Sequence, residues 1–158
     1  MYICPRTYIP SITDDTPLRH RALLIVPTEP ELRIERFVEI VESIFEEVNV
    51  SSNGPSWELR RLNVCKEIRT PENNYSEIYN SDLIIIECTD KKPNIFYMLG
   101  LAHSCGLPVC CCYCNTRESR ATIPFNVHGR QSLTYSISSF EDQRKWANEL
   151  REWIIECG

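Results

Sequence analysis

The residues best placed to do chemistry fall in one short stretch. Glu87, Thr89 and Asp90 follow the apolar run Leu83 to Ile86, and a helical segment carrying Tyr97 and Met98 begins near Asn94. Two carboxylates and a hydroxyl this close together can accept hydrogen bonds from a hydroxyl-bearing ligand or move a proton. The amino-terminal end of the helix near Asn94 would favour a phosphate, whereas Glu87 and Asp90 oppose a densely anionic ligand. Each residue also has a plain structural role. Glu87 can cap or solvate a loop, Asn94 suits a helix N-cap, and Tyr97 and Met98 stand beside Phe96 and Leu99 as core candidates. His103 falls near the helix end, where packing or a favourable dipole contact accounts for it.

The elements that must position these residues are legible from the same stretch. Leu83 to Ile86 and Val109 to Cys114 are apolar without alternation, which marks strands covered by helices on both faces. Between them lie a polar loop, a helix and the Gly106-Leu107-Pro108 break, so the segment reads as a βαβ unit with parallel strands. In such sheets the ligand crevice opens beyond the carboxyl ends of the strands. Glu87 to Asp90 sits at one of those ends.

Upstream, residues 1–20 read as an irregular arm or linker containing Pro5, Pro10 and Pro17, and residues 21–158 as one domain. Ala22 to Val26 is a buried strand stopped by Pro27-Thr28-Glu29-Pro30, which places Thr28 at a second strand end. Leu32, Phe37, Ile40, Val41, Ile44, Phe45 and Val48 recur with helical period over 31–48, with glutamates on the other face. Trp57 to Val64 alternates imperfectly and reads as an edge-like strand whose Arg60 and Arg61 are surface charges. Thr70-Pro71 starts a helix that carries Tyr75, Ile78 and Tyr79. After the βαβ unit come a polar segment, Ile123-Pro124-Phe125-Asn126, a loop with His128 and Arg130, a short strand near 132–135, and a closing helix over 140–157. Strands alternating with helices predict a flavodoxin-like three-layer α/β sandwich. Right-handed crossovers predict a mostly parallel five-stranded sheet of order 2-1-3-4-5.

Composition removes several function classes. The chain has 158 residues, a net charge of −5 and no basic stripe, which disfavours nucleic acid as a partner. No apolar run approaches the roughly 20 residues that span a bilayer, and the amino terminus lacks a signal-peptide core, so no membrane partner and a cytoplasmic location are expected. Five glycines leave no phosphate-cradling loop, and no Ser/His/Asp arrangement stands out. Nine cysteines, with Cys110, Cys111, Cys112 and Cys114 crowded into one strand, do not form a secreted disulfide framework. Their spacing matches no metal knuckle, so no metal or cofactor is expected and the thiols are read as core.

Thr89, Pro93-Asn94-Ile95-Phe96-Tyr97, Leu99-Gly100-Leu101-Ala102-His103, Gly106-Leu107-Pro108-Val109 and Ile123-Pro124-Phe125 together resemble the nucleoside 2-deoxyribosyltransferase-like proteins and the related TIR-like domains of bacterial defence systems. The resemblance spans about residues 22–155 and is most specific over 87–109. It implies cleavage of an N-glycosidic bond in a nucleoside or NAD, where a carboxylate supports the oxocarbenium-like sugar. That carboxylate belongs to a glutamate before Leu-Gly, and here the position is Met98; the loop acid after Ile-Pro-Phe is Asn126, and the lysine before Pro-Val is Leu107. A thioether cannot replace a carboxylate, and losing such a nucleophile costs on the order of 10⁴-fold in turnover.

The resemblance thus implies a ligand site built from Thr28, Glu87, Thr89, Asp90, Asn94, Tyr97, Met98 and Asn126, with Glu87 the best remaining acid and no assigned catalytic residue. Three functions stay open. The domain recognises a nucleoside, nucleotide or NAD-like small molecule with a degenerate site, in a defence or signalling setting. Alternatively it still cleaves glycosidic bonds through Glu87 or through a second subunit, or it serves as a protein-assembly module. Family pockets often lie between subunits, which implies a homo-oligomer.

Overall fold

The computed structural model describes residues 19–28, 31–51, 56–64, 71–115 and 132–158. Nine elements follow one another along the chain: β1 (His20–Pro27), α1 (Leu32–Ser51), β2 (Trp57–Val64), α2 (Pro71–Tyr79), β3 (Leu83–Glu87), α3 (Pro93–Ser104), β4 (Val109–Cys114), β5 (Ser132–Tyr135) and α4 (Phe140–Cys157). The strands form one sheet in the order β2-β1-β3-β4-β5, and every pairing is parallel. The flavodoxin-like α/β architecture expected from the strand and helix pattern is therefore the one observed. Most of the arm expected over 1–20 lies outside the described residues, as do Thr70 and the 123–130 loop with Asn126, His128 and Arg130.

The sheet separates two apolar layers, and strand parity sorts the side chains between them. Leu24 and Val26 of β1, Leu83 and Ile85 of β3, Cys110, Cys112 and Cys114 of β4, and Leu133 and Tyr135 of β5 face α1 and α4. Leu23, Ile25, Ile84, Ile86, Cys111 and Tyr113 face α2 and α3. The cysteines thus divide as alternation predicts, and all four in β4 are buried. Burial also pushes the Cys112 and Cys114 thiols above their ordinary values.

The helices bury the faces that their apolar spacing defines, with one change of register. In α1 the buried set is Ile34, Phe37, Val38, Val41, Ile44, Phe45 and Val48. Leu32, assigned from its spacing to the buried stripe, is exposed. It stands two residues before Ile34, about 200° around the helix, and so faces solvent. Arg60 pairs with Glu58 and Glu77 at the surface, while Arg61 bonds Asn63.

Two backbone devices shape the segment around β3 and α3. Pro93 opens α3, where its fixed φ and missing N–H cost nothing. The cap residue is Lys92, whose side chain makes no capping bond, so Asn94 lies inside the first turn and not at the N-cap. At the other end Gly106 takes φ 69°, which lets its N–H reach the His103 carbonyl and turns the chain into β4.

Candidate functional site

All five strands run the same way, so their carboxyl ends share one edge of the sheet. Glu87 is the last residue of β3, and its parity with Leu83 and Ile85 sends its side chain toward α1 and α4. There it meets Arg33 in the first turn of α1 and Tyr135 at the end of β5. Arg33 Nη1 donates to Glu87 Oε1 at 2.7 Å and to the Tyr135 hydroxyl at 2.9 Å. The Tyr135 hydroxyl donates in turn to Glu87 Oε1 at 2.9 Å. Arg33 Nη2 donates to Asp90 Oδ2 at 2.6 Å and to Glu31 Oε2 at 3.1 Å. One guanidinium therefore holds three carboxylates brought from the α1 entry, the end of β3 and the turn beyond it.

Thr89 closes the cluster from the other side. Its backbone N–H donates to Glu87 Oε1 at 3.2 Å, and its hydroxyl donates to the same oxygen in a very short contact. The hydroxyl also accepts from the Cys114 backbone N–H at 2.8 Å, which ties the turn to β4. Lys91, in that turn, has φ 50°, a left-handed conformation that non-glycine residues adopt at a cost of about 1 kcal/mol. The strain lies next to Asp90.

The electrostatics follow from burial. Glu87 is 1 % exposed, and its carboxyl is raised above the ordinary value of 4.5 because desolvation outweighs Arg33 and the donors from Thr89 and Tyr135. Burial acts to lower the Arg33 pKa, but Glu87, Tyr135 and Asp90 together hold it above the ordinary arginine value. The Tyr135 hydroxyl is raised, first by burial and then by Glu87. Glu87 is only half satisfied: Oε1 takes every bond described above, while Oε2 is buried with no hydrogen-bond partner among the described residues. Such an atom costs about 1–3 kcal/mol unless something meets it.

The structure brings together Glu87, Thr89 and Asp90 and leaves other expected residues outside the cluster. Thr28 is exposed at the end of β1, and Asn94 is exposed on α3. Tyr97 is 59 % exposed on the outer side of α3. Met98 is 1 % exposed and packs in the layer beneath α2 and α3, opposite the sheet face that Glu87 uses. It packs there among Ile95, Leu99 and Ala102. Asn126 lies outside the described residues.

Arg33, Glu31 and Tyr135 were not anticipated from the sequence. One signal was present for Arg33: a cation in the first turn opposes the helix dipole and needs anionic partners to sit there. Among the described residues no group of three His, Cys, Asp or Glu side chains is arranged to hold a metal. No helix among them is long and apolar enough to cross a membrane.

The chain matches no protein-family model, and no curated protein matches it. Its fold is similar to the CMP N-glycosidase BcmB of Clostridium botulinum, at 14% identity and TM-score 0.51, over 82% of this chain and 97% of that one. A response regulator from Colwellia psychrerythraea aligns at 11% identity and TM-score 0.46, over 85% of this chain and 98% of the other. The likeness to the N-glycosidase is one of fold alone.

Proposed function

We propose that the domain recognises a nucleoside-type ligand at the carboxyl end of β3 and does not turn it over. The observation that carries this reading is the Glu87 carboxylate, buried and pinned through Oε1, with Oε2 left for a donor that the described residues do not supply. Sugar hydroxyls are such donors. One guanidinium set against three carboxylates leaves the cluster net negative, which favours a neutral nucleoside or the cationic nicotinamide riboside part of NAD over a phosphate. The fold shared with a CMP N-glycosidase is consistent with a ligand of this class. The reading of no turnover comes from the resemblance alone, which implies a catalytic carboxylate where this chain has Met98.

A second reading has its own observation. Burial raises the Glu87 carboxyl, and a raised carboxyl with a free oxygen is what a general acid in glycosidic cleavage requires. The experiment is calorimetric titration with cytidine, deoxycytidine, NAD and CMP, beside chromatography for released base. Saturable binding without released base, lost in Glu87→Gln, supports recognition. Released base that disappears in Glu87→Gln selects the enzyme reading. Neither binding nor release would overturn both and leave an assembly role.

A further inference from the structure

The Glu87 side chain is 1 % exposed, so a ligand meets it only after a neighbour moves. The neighbours differ in how freely they can do so. Tyr135 is wedged between Phe37 and Trp146, with ring centroids 4.8 Å and 5.4 Å away. Thr89 is fastened to β4, because its hydroxyl accepts from the Cys114 backbone N–H at 2.8 Å. Packing holds the first and the main chain holds the second.

Arg33 is held differently, with its guanidinium divided between inner and outer partners. Nη1 reaches inward to Glu87 Oε1 and to the hydroxyl of the buried Tyr135. Nη2 reaches outward to Asp90 and Glu31, whose side chains are 35 % and 45 % exposed. Arg33 itself stands between these layers, with its side chain 12 % exposed. An arginine stem turns about several single bonds without disturbing the backbone. If Nη1 leaves Glu87, the cation still has two carboxylates outside, and Nη2 already rests on both. Glu87 Oε1 meanwhile keeps its donors from Thr89 and Tyr135.

We propose that Arg33 is a latch, an autoinhibitory contact that closes Glu87 in the free protein. It opens by pivoting about Nη2, so that both arms of the guanidinium lie on Glu31 and Asp90. Donors from the ligand then take the place of Nη1 at Glu87. The purpose of the latch rests on the nucleoside reading, whereas the pivot itself needs no ligand.

The test is hydrogen exchange by NMR on the full chain with isotope-labelled arginine. It follows the Arg33 Nη1 protons, assigned by their loss in Arg33→Lys, beside those of the exposed Arg144 and the backbone amide of Ile85 in β3. Corrected for intrinsic rates, the Arg33 protons should be more protected than those of Arg144 and less than the Ile85 amide, the mark of local opening without unfolding. Glu31→Gln combined with Asp90→Asn changes two half-exposed acids and deprives the open latch of its anions. Exchange at Arg33 should slow by about threefold to fivefold, the worth of an exposed ion pair. A merely structural tie would be loosened by the same change and would exchange faster. Saturating cytidine, deoxycytidine, NAD or CMP should bring Arg33 close to the exchange of Arg144. Protection equal to that of Ile85 overturns the latch, as does unchanged or faster exchange in the double variant. Binding that leaves Arg33 protected also overturns it, while the nucleoside reading stands. If none of the four ligands binds and the ligand-free results are as expected, the latch is upheld and the nucleoside reading fails.

Discussion

Arg33 Nη1 lies 2.7 Å from Glu87 Oε1, joining the first turn of α1 to the end of the central strand. The pair is inside the protein, with the Arg33 side chain 12 % exposed and the Glu87 side chain 1 % exposed. Removing one member strands the other, whereas replacing both by apolar groups removes the desolvation cost as well. Arg33→Met should therefore destabilise the domain by about 3 kcal/mol. Arg33→Met with Glu87→Leu should recover much of that loss. Urea denaturation of the two single variants and the double variant measures the coupling.

The raised Glu87 carboxyl sets the sign of one pH effect. A carboxyl whose pKa is higher folded than unfolded binds its proton more tightly in the native state. Its contribution to stability is fully present below the unfolded value near 4.5 and is lost as pH rises through the folded value. Stability of the parent should fall over that interval relative to Glu87→Gln, which cannot titrate there. Denaturation midpoints from pH 4 to 8, at intervals of about half a unit, should diverge in this direction. A flat difference would show that Arg33 and the other donors balance burial, and one that grows in the opposite sense that they outweigh it.

Lys91 supplies a prediction about the turn alone. At φ 50° a side chain crowds its own backbone, and glycine removes that crowding at some cost in unfolded-state entropy. Lys91→Gly should raise stability by about 0.5 kcal/mol. It should also loosen the position of Asp90, visible as weaker ligand binding by the more stable protein.

Met98 separates core from chemistry. Met98→Leu conserves volume in a buried layer and should cost less than about 1.5 kcal/mol. Met98→Glu places a carboxylate among Ile95, Leu99 and neighbouring apolar side chains. It should cost several kcal/mol, or fold with that carboxyl neutral. Thermal denaturation compares them. A stable Met98→Glu protein that releases base from a nucleoside would show that α3 turns this position toward the crevice.

How much could be read beforehand follows from which forces are local. The apolar runs of β1, β3 and β4, the helical period of α1 and the Gly106 break determine the elements, because burial on both faces, amphipathic spacing and left-handed backbone each leave a mark in neighbouring residues. Short right-handed crossovers then permit few strand orders, and 2-1-3-4-5 is the one seen. The acid and threonine at the end of β3 were visible for the same reason, as a polar break directly after a buried strand.

What surrounds Glu87 was decided only in three dimensions. Arg33 stands 54 positions away and Tyr135 stands 48 away, and nothing in their local spacing names either as its partner. Met98 and Glu87 belong to consecutive elements of the chain but lie on opposite faces of the sheet. Strand parity aims one side chain toward α1, and helix rotation buries the other beneath α3. By itself the sequence determined the strands, the helices and the position of one acidic turn. Only the tertiary structure decided which charges neutralise that acid and which of its oxygens remains unmatched, because those depend on distances between segments that the chain brings together by folding.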